Sequence, residues 1–164
     1  MTIPEPKTQF RSFAIFTEAP AHPVERSKPG SLMDSVRAAI EGIDPHTLRP
    51  VARVDAGLAF QPRTLLALML YCYSHGIYGS ADIEDAIRRD TNFRRLCRQE
   101  FPDARLLRRF RRENSTVLQS ALAELLRRIT ERQGVEGFET VDFAGEADRR
   151  IRKAMFIDTM EVAA

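Results

Sequence analysis

FQPRTLLALMLYCYSHGIYGSADIEDAIRRD, residues 60–90, runs directly into TNFRRLCRQEFPDARLLRRFRREN, residues 91–114. Pro62 at the start and Gly76 near the end bracket a helix, since proline suits a first helical turn and glycine a left-handed stop. Leu65, Leu66, Leu68, Met69, Leu70, Tyr71 and Tyr73 point in nearly every direction around its axis. A helix that is apolar all round must be buried, so the other elements are expected to wrap it. The second half of the stretch carries the charge. Between Ala86 and Arg112 there are ten arginines and three acids, whereas the whole chain nets only +2. A near-neutral total therefore hides a strongly basic block beside an apolar core, and that local imbalance is what a partner would meet.

Downstream of Gly76, Ser80 is expected to cap the next helix, with Asp82 and Glu84 complementing its positive end and Ile83, Ala86 and Ile87 facing inward. A short helix over Thr91 to Cys97 places Phe93, Leu96 and Cys97 inside. Asp103 then caps a helix over Ala104 to Glu113, in which Arg105, Arg108, Arg109 and Arg112 share one stripe and Leu106, Leu107 and Phe110 lie opposite. A longer helix from about Ser115 to Glu131 follows, with Val117, Leu118, Ala121, Leu122, Leu125 and Ile129 as its inner stripe.

Upstream, residues 1–30 hold five of the nine prolines and read as a mobile leader. Within it only Phe10 to Phe16 looks able to pack, as an extended arm. Ser31 and Asp34 form a capping-box signature for a helix carrying Leu32, Val36, Ala39, Ile40 and Ile43. Asp44-Pro45 starts one further turn, and Arg49 to Phe60 reads as a loop. After Gly134 and Gly137 the pattern offers a strand over Phe138–Phe143 and a last charged helix from about Glu146 to Met160. The expected architecture is all-α, five to seven helices with a helix-turn-helix-like unit. Its organisation is a flexible leader (1–30), a helical domain (31–133), and a C-terminal connection and helix (134–164).

Several functions find no support. Cys72 and Cys97 sit in apolar helical patterns, away from any CxxC pair or histidine cluster, so they read as core thiols rather than metal ligands or a disulfide. No glycine-rich phosphate loop or nucleophile elbow occurs, and Ser74-His75 has no orienting acid. No cofactor, metal or small-molecule substrate is expected. The longest apolar run, Leu65 to Tyr73, falls far short of the roughly 20 residues of a membrane helix, and no signal peptide is recognisable. The expected location is the cytoplasm, with no membrane partner.

The ordered series of residues from Pro62 to Arg112 resembles the N-terminal domain of bacterial DDE insertion-sequence transposases of the InsH type. It is carried by P-R-x-L-L-x-L-x-L-Y-x-Y-S-H-G-I-Y-x-S from Pro62 to Ser80 and by I-E-x-A-x-R-x-D-x-x-F-R-x-L from Ile83 to Leu96. Pro102-Asp103 and Arg109-Phe110-Arg111-Arg112 complete it. The resemblance implies a helical, helix-turn-helix-type module that binds the ends of a mobile element and precedes an RNase H-like catalytic domain. Two departures stand out. Ala104-Arg105-Leu106 replaces the His-Ser-Thr usual after Pro-Asp, and Val141-Asp142-Phe143 lacks the glycine that follows the family's first catalytic aspartate. None of the acids after Asp142 is expected to complete a two-metal site with it. The implied function is double-stranded DNA binding without transposase catalysis of its own.

The candidate contacts are Arg105, Arg108, Arg109, Arg111 and Arg112, with Arg88, Arg89, Arg94, Arg95 and Arg98 as secondary ones. Some of the latter are expected to pair with Asp90 and Glu100. A charged stripe is also what any solvated helix face looks like, and Tyr71, Tyr73 and Tyr78 fit core packing better than base stacking. A rival reading makes the chain a protein-interaction or dimerisation module, a homo-oligomer or the partner of a full-length transposase. The last helix would then offer Ile151, Met155 and Met160 as an apolar edge.

Overall fold

A computed structural model describes residues 31–51, 60–97 and 101–164, and among these it contains seven α-helices, two short 3₁₀ turns and no strand. The helices are α1 (Leu32–Glu41), α2 (Pro62–Ser74), α3 (Ser80–Arg89), α4 (Thr91–Leu96), α5 (Ala104–Glu113), α6 (Ser115–Arg132) and α7 (Phe143–Ala163). The 3₁₀ turns span Pro45–Thr47 and Phe138–Thr140. The all-α expectation holds. The proposed leader with its Phe10 to Phe16 arm, Arg98, Glu100 and most of the loop before Phe60 lie outside the described residues.

α2 is the axis of the core, with Leu65, Leu66, Leu68, Met69, Leu70, Cys72 and Tyr73 all buried. It starts at Pro62 and stops where Gly76 takes φ of +74°, a conformation that costs glycine little and a β-carbon much. His75 closes the last turn, its Nδ1 2.8 Å from the Tyr71 carbonyl oxygen. α1 enters through the expected capping box, in which Ser31 and Asp34 satisfy each other's backbone N–H groups. α6 packs against α1, α2 and α7, so the longest amphipathic helices form one side of the bundle while α3, α4 and α5 close the other. Ala147, Ile151 and Ala154 of α7 belong to the same core as α2.

Four local expectations are corrected. Phe138–Phe143 is not a strand: Phe138–Thr140 forms a 3₁₀ turn, and α7 begins at Phe143 behind Asp142 as its N-cap. With Gly137 left-handed and Asp142 accepting from Gly145 N at 2.8 Å, local capping outcompetes extension. Ile151 is buried rather than exposed, since it shares the inward face of α7 with Ala147 and Ala154. Leu96 is only half-buried, beside the inward line of Phe93 and Cys97.

The fourth correction concerns Ser80, which is the first residue of α3 and not its cap. The N-cap is Gly79, and the acceptor comes from another helix: Asp158 of α7 takes Ser80 N and Ser80 Oγ, each at 2.8 Å. α7 lies so close that a β-carbon on Gly79 would meet Ile157 Cγ2 at 2.9 Å.

Candidate nucleic-acid interface

α5 is fixed at both ends before its arginines are considered. Asp103 accepts from Leu106 N at 2.7 Å, and Glu84 of α3 accepts from Ala104 N at 2.8 Å, so two carboxylates serve the free N–H groups of its first turn. At the other end Asn114 is buried. It exchanges hydrogen bonds with the backbone of Arg49, accepting at 2.7 Å and donating at 3.1 Å, and it also donates to the Phe110 carbonyl oxygen at 3.2 Å. Leu107 and Phe110 are buried on the inner face and Leu106 packs against it. Apolar burial sets the rotation of the helix, and the caps set its length.

That rotation turns Arg105, Arg108, Arg109 and Arg112 outward over an arc of about 100°. Arg105, Arg109 and Arg112 are exposed and Arg108 is half-buried. Arg109 donates from Nε to Glu113 Oε1 at 2.8 Å. Arg105, Arg108 and Arg112 make no ion pair or side-chain hydrogen bond among the described residues. Three unneutralised guanidinium groups on one rigid face repel one another and attract a polyanion.

Arg111 does not belong to this face. Its side chain is 1% exposed and forms an ion pair with Asp158, whose side chain is 7% exposed. Nε donates to Tyr73 Oη at 2.6 Å, and one Nη donates to the Tyr78 carbonyl oxygen at 2.9 Å. Arg111 follows Leu107 by one helical turn, which puts it beside the apolar stripe. A charge there can be buried only with a counterion and a full set of acceptors. Burial pushes the Tyr73 phenol up to about 12 even though the neighbouring Arg111 acts to lower it.

The secondary arginines are differently placed. Arg88 pairs with Glu84 and Arg89 lies 3.9 Å from Asp85, each one turn along α3, so they do not pair with Asp90. Asp90 instead accepts from Asn92 N at 2.7 Å as the cap of α4. Arg95 is exposed, while Arg94 holds a buried Nε that has no hydrogen-bond partner among the described residues. Because α3 packs on α5 and Glu84 reaches Ala104, the Arg88 end of α3 adjoins the first turn of α5. The four α5 arginines thus form one surface, Arg88 borders it, and Arg111 is structural.

Other groups resolve into structural roles. Ser74 Oγ donates to the Leu70 carbonyl oxygen at 2.8 Å, which leaves Ser74-His75 no dyad geometry. Tyr73 is buried, and Tyr71 and Tyr78 pack against the core, whereas Phe101, just before α5, is 49% exposed. Cys72 and Cys97 are buried free thiols. No group of three or more His, Cys, Asp or Glu among the described residues could hold a metal ion. No described helix is long and apolar enough to cross a membrane.

A family model described as a transposase domain, DUF772, matches residues 23–113, which takes in α1 to α5 and the arginine face. No curated protein and no solved structure matches the chain.

Proposed function

The chain belongs to the DUF772 transposase-domain family, and on that premise we propose that it is a module that binds double-stranded DNA through α5. The observation that carries the reading is the trio Arg105, Arg108 and Arg112, outward on a helix whose opposite side is anchored by Leu107 and Phe110, with no internal counterion among the described residues. Such a face contacts phosphates first, which positions the protein, while one or two guanidinium groups reach base edges in the major groove. α3, α4 and α5 would form the helix-turn-helix-like unit, with α5 as its recognition helix. The packing of all three tyrosines in or against the core favours a duplex over a single strand stacked on them.

Transposition chemistry is not assigned to this chain. Asp142, its one candidate for a catalytic acid, is engaged as the cap of α7. Two-metal phosphoryl transfer needs converging carboxylates. The reading is tested by measuring duplex binding of the wild type beside Arg108→Glu/Arg112→Glu at low and physiological salt.

One observation favours a second reading, a protein-interaction surface. Met155, Phe156, Met160 and Val162 are all exposed towards the end of α7. Phe156→Ser/Met160→Ser tests it by sizing: a wild-type oligomer that becomes monomeric in the variant would support an interface, and a monomer in both would remove it.

A further inference from the structure

Glu113 is the single acid of α5, half-buried at the edge of a face that is otherwise arginines. It is poorly placed for helix stability. An acid in the last turn faces the negative end of the helix dipole, and Arg-before-Glu is the weaker order for an i,i+4 pair. Its carboxylate nevertheless meets Arg109 Nε at 2.8 Å, with the two side chains 28% and 48% exposed respectively. A residue that breaks a local rule without an evident structural return is a candidate for function.

Resting on the DNA reading above, we infer that Glu113 is an affinity-setting residue: it holds Arg109 in an internal pair and so withholds one of four charges from the DNA backbone. The wild-type face then neutralises phosphates with Arg105, Arg108 and Arg112. Arg109 becomes available only where a site offers contacts good enough to displace Glu113. Glu113 thereby lowers binding to arbitrary duplex relative to a preferred sequence, a repulsive element of the kind that specificity requires.

The test is fluorescence anisotropy on a random-sequence duplex over a salt series, with four proteins: wild type, Glu113→Gln, Arg109→Gln and the double variant. Glu113→Gln is expected to bind more tightly, with the slope of log K against log salt steeper by about 0.9, the contribution of one further phosphate. Its advantage over wild type should shrink by about threefold between about 50 and 200 mM salt. In the Arg109→Gln background the same change should leave the slope alone. An unchanged slope for Glu113→Gln overturns the inference. So does an equal gain without Arg109, which would mean simple relief of repulsion. Arg108→Glu/Arg112→Glu, run alongside, separates the levels: if that variant still loses binding, the DNA reading stands and only the role of Glu113 fails. If it binds as well as wild type, both fail.

Discussion

Arg111 of α5 and Asp158 of α7 form a buried ion pair between residues 47 apart in sequence. Asp158 also accepts from Ser80, so one carboxylate ties together the start of α3, the last turn of α5 and the C-terminal part of α7. The last helix is therefore part of what orients the arginine face. Asp158→Ala leaves a buried guanidinium uncompensated, and the expected loss is about 3–5 kcal/mol in a urea titration. Arg111→Met/Asp158→Ala should cost clearly less than the two single changes added together, because the second change removes the orphaned charge. Simple additivity would contradict the pairing.

Alkaline pH gives an independent reading of the same cluster. Tyr73 holds its proton up to about 12 in the folded chain, against 10.0 for the free side chain. Between these values the unfolded state releases a proton that the folded state keeps, so this contribution is intact below pH 10 and is lost as pH rises towards 12. The loss should approach about 3 kcal/mol, and it should be absent in Tyr73→Phe. Tyr71 and Tyr78 are also raised by burial, so the variant should flatten the alkaline limb without abolishing it.

The cap of α5 can be separated from its charge. Asp103→Ala removes the acceptor for Leu106 N and should cost about 1 kcal/mol, while Asp103→Asn keeps an acceptor and should cost little. Thermal melts of both variants check this; equal losses would mean that the charge rather than the hydrogen bond matters.

The parts of this architecture that are local in sequence were legible there. The Ser31 capping box, the bounds of α2 between Pro62 and Gly76, the inward stripe of α6 and the arginine stripe of α5 each follow from residues within a few positions of one another. What escaped is non-local. Nothing within a turn of Ser80 indicates that Asp158 will serve the start of α3, and nothing near Arg111 announces a counterion on the last helix. One signal was available: Arg111 lies a turn beyond Leu107, nearer the apolar stripe than the charged one. The strand expected at Phe138–Phe143 fails for a local reason, since three apolar residues in six, not strictly alternating, are weak evidence beside glycine turns and a capping aspartate.

The most direct test of the central claim is anisotropy with a labelled duplex at low and physiological salt, comparing wild type with Arg108→Glu/Arg112→Glu and verifying the fold of both by circular dichroism. Binding by the wild type that weakens steeply with salt, by about 0.9 in slope per phosphate engaged, and that is lost in the folded variant, is the predicted result. Equal binding by the two proteins, or no binding by a folded wild type at low salt, would contradict the assignment of α5 as a DNA-contacting helix.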